Sequence, residues 1–343
     1  MEPRSQGTDP LAGLDEDLAA HREFVETRAP VYSWLAEAMR AELDGGEAAE
    51  RLRAAWSERR YGAWYERPLL ILTALRWAAL QEGEEHPLYP AIGSPVPDED
   101  AVSAVAARES IAADQHRFWD AVSSRYVQTN DPARAVAWIW PAAVLAEADP
   151  GRPLDLYDIG ASAGLNLVGD LMEDNTWART DQKPLRLEPL PPIRRRLGFD
   201  LRPLDPLVDD DANWLRALVW PGQDERARRL EAAIAAYRSA GETTGPPRVE
   251  AVSAGKIPPR LDTVGQSDPR ALAYQTVMRD YVPEAELARY EQGMADWLSR
   301  SEPGGAVWIQ LDVTEEARSG GPVLELTATL RGAEENATHR LAF

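Results

Sequence analysis

At 343 residues, 44% hydrophobic and 27% charged, the chain is long enough for two domains and too apolar for a disordered protein. Its formal charge of −20, from 37 basic and 57 acidic residues, argues against a nucleic-acid partner, because such binders present a basic face. The absence of cysteine removes disulfides and thiol nucleophiles, and the four histidines (His21, His86, His116, His339) are too scattered for a metal-ligand spacing.

Residues 1–14 read as a disordered tail, polar and acidic with no apolar signal-peptide core. No run approaches the ~20 apolar residues of a membrane span, so the expected protein is soluble and cytoplasmic. Residues 15–150 read as an all-helical domain, a lid or substrate region. Apolar residues recur there at three- and four-residue steps, as in Leu18, His21, Phe24 and Val25, then Tyr32, Leu35, Met39 and Leu43. Pro30 suits the first turn of a helix that Gly45-Gly46 stops. Further helices are expected over Ala48–Tyr61, Pro68–Gln81, Asp98–Ser124 and Pro132–Ala148. Trp56, Trp64, Trp77, Trp119, Trp138 and Trp140 read mainly as core rings, with some available to line a pocket. In Gln128-Thr129-Asn130-Asp131-Pro132, either Asn130 or Asp131 caps the next helix, and Gln128, Thr129 and Asn130 are candidate substrate-binding residues.

Pro150-Gly151-Arg152-Pro153 punctuates the chain, and short apolar runs then alternate with helical patterns, the mark of βαβ units. Residues 151–343 are therefore expected to form a mostly parallel α/β sheet. Strands are predicted at Leu154–Ile159, at a run ending Gly198-Phe199-Asp200-Leu201, and at Arg248–Val252, Ala271–Gln275 and Ala306–Asp312. Val323–Leu330 alternates cleanly and suits an antiparallel strand, with Thr338–Phe343 as its partner. The Pro- and Arg-rich stretch Asp181–Leu197 reads as an insertion with a short strand at Leu185–Leu187. Arg194-Arg195-Arg196 is a local basic cluster within it. Helices are expected at Trp214–Trp220, Gln223–Arg238 and Pro283–Leu298.

The chemistry concentrates where the first strand ends. Asp158-Ile-Gly160-Ala-Ser162-Ala-Gly164 is followed by the apolar spacing of a helix, Leu165, Leu167, Val168, Leu171 and Met172. A strand, a small-residue turn and a helix N-terminus make a site for an anionic or zwitterionic ligand. The third glycine of a dinucleotide fingerprint is missing, and no Gly-Lys-Ser/Thr of a phosphate-binding loop follows. An acid two residues before Gly-x-small-x-Gly instead resembles the first motif of class I S-adenosylmethionine methyltransferases. In an open α/β sheet the carboxyl ends of the strands converge on one crevice, so Asp158, Asp200, Val252-Ser253 and Gln275-Thr276 should meet there. Asp200 is suited to ribose hydroxyls. Asp158 is expected near a cationic amine, with Ser162 and the turn amides on the carboxylate.

Taken together, Asp158-Ile-Gly-Ala-Ser-Ala-Gly-Leu-Asn166, Gln128-Thr-Asn130, Gly198-Phe-Asp-Leu-Arg-Pro-Leu-Asp205, Val219-Trp-Pro221 and Tyr281-Val-Pro283 resemble a bacterial family, domain of unknown function 2332. The resemblance implies a Rossmann-like class I methyltransferase sheet with an added N-terminal helical region, S-adenosylmethionine as cofactor and a small-molecule substrate. On that reading Asp158, Gly160, Ala161, Ser162, Gly164, Asn166, Asp200 and Ser253 hold the cofactor, and Asn130, Gln275 and Tyr281 orient or act on the acceptor. Two departures stand out: Val252-Ser253 where members often carry Gly-Asp, and Gln275-Thr276 where they often carry His-Ser. Glutamine takes no proton at neutral pH, so catalysis here would rest on positioning, or the fold would persist as a binding protein.

Overall fold

Every residue of Leu154–Ile159 is buried, because this strand lies inside a sheet and is paired on both sides. The computed structural model that shows this describes residues 9–112, 116–128, 130–172, 179–180, 183–184, 188–243, 245–265, 269–313, 323–331 and 337–342. Within them the helices are α1 (Leu14–Val25), α2 (Pro30–Leu43), α3 (Gly46–Ala55), α4 (Glu66–Glu82), α5 (Ala104–Ser110) and α6 (His116–Ser124). They continue with α7 (Val136–Ala148), α8 (Asp209–Ala217), α9 (Asp224–Thr243) and α10 (Glu284–Arg300). The strands are β1 (Leu154–Ile159), β2 (Arg179–Thr180), β3 (Lys183–Pro184), β4 (Ile193–Asp200) and β5 (Arg248–Ala251). After them come β6 (Arg270–Thr276), β7 (Ala306–Val313), β8 (Val323–Leu330) and β9 (Ala337–Ala342).

The chain divides into two compact units. One is helical, Met1–Thr129 with Val208–Arg228, and the other carries the sheet, Asn130–Leu207 with Arg229–Phe343. This division differs from the expected boundary at residue 150. Helix α7 packs on β6 and β7, so it goes with the sheet. The 208–228 segment goes with the helices: Trp214 meets Trp77 edge-on and donates its indole N–H to the Tyr126 carbonyl at 3.1 Å, while Arg125 pairs with Asp210 and Asp211.

In the helical unit the residues of α4 from Arg67 to Leu75 are all buried, as expected of a central helix with neighbours on every side. Helices α1, α2, α6 and α8 pack around it. Residues 9–14, read from the sequence as loose tail, are instead held down. Arg67 donates to the Pro10 and Ala12 carbonyls at 3.0 and 2.9 Å and pairs with buried Asp17, and Leu14 is buried. The long helix expected over Asp98–Ser124 is broken into a 3₁₀ turn, α5 and α6.

The sheet has seven strands in the order β5-β4-β1-β6-β7-β8-β9. From β5 through β7 all neighbours are parallel, and β8 and β9 are antiparallel, as the alternation of Val323–Leu330 predicts. Odd-numbered β1 residues, Tyr157 and Ile159, face one core with α10, where Tyr290, Met294, Trp297 and Leu298 recur at helical spacing. Even-numbered residues face the other way. The Arg194–Arg196 triplet lies in β4, not in an insertion, and each guanidinium has an acid: Asp155, Asp262 and Asp170 respectively. It is therefore no basic patch. The strand expected at Leu185–Leu187 lies outside the described residues.

Helix α7 is tied to the turn after β1 by Trp138, which is fully buried and donates its indole N–H to the Asn166 carbonyl at 2.8 Å. Trp138→Phe keeps most of the ring but leaves that carbonyl unbonded. We expect a loss of about 1–3 kcal/mol, measured as a lower urea midpoint with unchanged slope.

Candidate functional site

Chain connections diverge between β1 and β6: β4 and β5 continue to one side, β7 to the other. The carboxyl ends of β1 and β6 are thus the switch point of the sheet, where open α/β folds take ligands. Parallel register sets Asp158 beside Gly198 on one side and Tyr274 on the other, so Asp158, Asp200 and Tyr274 share a face.

Asp158 is buried, and burial pushes its carboxyl up to about 7. Tyr274 and Arg134 pull it back down, while the charge of nearby Asp200 adds to the rise. Tyr274 is close enough to act on the carboxylate, yet no hydrogen bond between them closes at normal length and angle among the described residues. Asp158 Oδ2 and the Tyr274 hydroxyl are both shielded from solvent. Arg134, also buried, donates to the Thr276 carbonyl at 3.1 Å and its Oγ1 at 3.4 Å. Val277, next along the chain, has φ 53°, a left-handed conformation that a β-branched residue adopts only under constraint.

The Gly160–Gly164 turn is built differently from the helix N-terminus expected. Residues Leu165–Leu171 form a 3₁₀ segment with a kink at Val168 instead of an α-helix, so no helix dipole aims at the turn. Its amides bond within the chain. Gly160 and Ala161 donate to the Phe199 carbonyl at 2.8 and 3.0 Å, Ser162 to Asp200 Oδ2 at 2.8 Å, and Gly164 to the Ala161 carbonyl at 2.7 Å. Gly160 has φ 78°, and a Cβ there would lie 2.7 Å from Met278 Cγ, so that side chain rests directly on the bend.

Asp200 also accepts from the Arg202 N–H at 2.8 Å, and burial raises its pKa against these backbone donors. Asn130 reaches Ser162 Oγ at 3.5 Å, the long limit of a hydrogen bond. Asp131 is the cap: it accepts from the Ala133 N–H at 3.0 Å, with Pro132 in the first turn. Asn166 is buried with Oδ1 unbonded among the described residues. Ser253, half-buried, follows β5 and opens a 3₁₀ turn.

Gln275 stands apart. It sits beside Ile159 in register, on the α10 face, where Tyr290 donates to its Oε1 at 2.7 Å and its Nε2 donates to Asp312 Oδ2 at 3.1 Å. Burial lifts the Asp312 carboxyl to about 6. Tyr281 is half-buried in a 3₁₀ turn, Arg279–Tyr281. Gln128 is half-buried in the helical unit, whereas Asn130 belongs to the sheet unit. Thr129 lies outside the described residues. The structure thus brings Asn130, Asp158, Ser162 and Asp200 to one place, and adds Arg134, Tyr274 and Met278.

A family model described as an uncharacterized protein conserved in bacteria, DUF2332, matches residues 18–342. The chain belongs to DUF2332. No curated protein and no solved structure matches it. The DUF2332 match spans the helical unit and the sheet unit alike, so both belong to the family's pattern. Among the described residues of this DUF2332 chain no helix is long and apolar enough to cross a membrane, and no group of three acidic or imidazole side chains is placed to hold a metal ion.

Proposed function

We propose that the sheet unit is a methyltransferase domain that takes S-adenosylmethionine and methylates a small molecule. One juxtaposition supports this most: Asp158 and Asp200 stand on the same face, beside the Gly160–Gly164 turn, at the switch point. Carboxylates there suit a ligand that carries both a ribose and a cationic amine. Asp200 is the residue for the ribose. Its bonds to the Ser162 and Arg202 amides fix the carboxylate at the turn. Asp158, with Oδ2 shielded from solvent beside the Tyr274 hydroxyl, is the residue for the amine. When bound, the cofactor supplies an electrophilic methyl group.

The chain's own residues bind and orient. Because the Gly160, Ala161, Ser162 and Gly164 amides are bonded internally, the ligand's carboxylate falls to the Asn130 and Ser162 side chains. Met278, a flexible side chain, turns aside from Gly160 to admit the ligand.

Calorimetric titration with S-adenosylmethionine and S-adenosylhomocysteine tests this. Saturable heat is expected, weakened about tenfold or more by Asp200→Ala, and no heat with no thermal shift at millimolar ligand would overturn it. A cation beside Asp158 needs the ionised carboxyl, so affinity should rise by about tenfold between pH 6 and pH 8, around the value of about 7. A second reading, binding without transfer, is favoured by Gln275, whose amide is engaged by Tyr290 and Asp312 on the opposite face. Cofactor binding with no labelled methyl passed to any extract fraction would select it.

A further inference from the structure

The helical unit encloses a polar cluster of its own. Arg76 on α4 has Nε and Nη1 shielded from solvent and without a hydrogen-bond partner among the described residues. Its ionisable neighbour is the phenol of Tyr32 on α2, not a carboxylate. Tyr32 is fully buried and its hydroxyl is unbonded too. So is Thr73 Oγ1, one turn before Arg76 on α4 and with no exposure. The Tyr32 ring lies 6.5 Å from Trp220, and Trp220 lies 6.3 Å from His21 of α1, whose two ring nitrogens are buried and unbonded. Phe24 and Trp64 each stand 6.2 Å from His21.

A guanidinium shielded at two of its nitrogens without an anion is destabilising, and the Tyr32 and Thr73 hydroxyls are neutral groups able to donate a hydrogen bond. We propose that the helical unit holds a binding site for a small monoanionic carboxylate with an aromatic or apolar body. The carboxylate meets Arg76, Tyr32 and Thr73, and the body lies among Trp220, Trp64 and His21. Charge sets the class: one guanidinium balances one negative charge, whereas a phosphate dianion would leave one uncompensated in a buried place. Burial holds His21 down to about 4, so it adds no positive charge at neutral pH. Phe24 is 42% exposed, so the aromatic wall reaches the surface. This inference does not rest on the cofactor proposed for the sheet unit.

The test is titration of the full chain with acetate, benzoate and phenylacetate, with inorganic phosphate as the competing class. It is read by calorimetry and by the fluorescence of the tryptophans. Saturable binding of an aromatic carboxylate is expected at a Kd of ~1 mM or tighter, with phosphate about tenfold weaker. Arg76→Met should abolish that binding while leaving the free protein at least as heat-stable as the parent, since it removes a half-buried charge whose Nε and Nη1 lack partners among the described residues. Tyr32→Phe should weaken binding and keep the fold. The proposal fails if none of the three carboxylates saturates, if phosphate binds more tightly, if Arg76→Met still binds, or if Arg76→Met loses stability.

Discussion

Replacing Asp158 by Asn is expected to raise the thermal midpoint by several degrees at pH 8 and to leave it nearly unchanged at pH 4. The folded chain holds the Asp158 proton up to about 7, whereas the unfolded chain releases it near 3.8. Between those values the folded state binds more protons, so its stability falls as pH rises, and the full penalty is present above 7. A rise from 3.8 to about 7 corresponds to about 4 kcal/mol at most, and relaxation around the charge reduces it. Asparagine keeps the shape and cannot ionise, so that slope should vanish. A few kcal/mol is several degrees for a domain of this size. Melting curves at intervals from pH 4 to pH 8 for both proteins decide the matter, and parallel slopes would refute the assignment. The same variant should lose the pH-dependence of cofactor affinity, which ties the stability measurement to the proposed role.

Arg67→Met should cost the helical unit about 3–5 kcal/mol. Asp17 is 3% exposed, and Arg67 donates to its Oδ2 through Nε at 3.0 Å as well as through Nη2. Removing the guanidinium takes from a buried carboxylate the charge and the hydrogen bonds that Arg67 gives it, and frees the Pro10 and Ala12 carbonyls that Arg67 also holds. Residues 9–14 would lose their anchor, so proteolysis near Asp9 should quicken along with the fall in urea midpoint. Adding Asp17→Leu to the variant should recover most of the stability, because an apolar pair of similar volume carries no desolvation cost. A single variant within about 1 kcal/mol of the parent would show that the pair matters little.

Much of this architecture is legible in the chain because local and distant preferences agree. The apolar run Leu69–Leu72 of α4 and the strand-like run of β1 state their own burial, and the alternation in β8 its antiparallel pairing. Arg194-Arg195-Arg196 misled for a physical reason. Three consecutive cations look like a surface feature, and the acids that neutralise them, Asp155, Asp262 and Asp170, are distant in sequence or on another element. The turn after β1 misled differently. Apolar spacing from Leu165 cannot distinguish an α-helix from a kinked 3₁₀ segment, since both present residues three apart on one side. Nor could the strand ends say which face Gln275 takes, because that depends on the pairing of Ile159 with Gln275, one step out of phase with Asp158 and Tyr274. Arg134 and Tyr274 gave no signal at all, being ordinary members of a helical and an apolar run.

That one-step offset bears on how the sheet assembles. Shifting β1 by a single position against β6 would turn Asp158 toward Tyr290, Met294 and Trp297 and push Tyr157 and Ile159 out among Arg134 and Thr276. Long apolar strands slide easily, and a chain whose middle strands were purely aliphatic would tolerate such misalignment. Here the polar groups act as a key cut for one lock. Asp158 on one side and Gln275 on the other favour a single alignment of the two innermost strands, so the carboxylate that costs stability at high pH also guards against misfolded pairings.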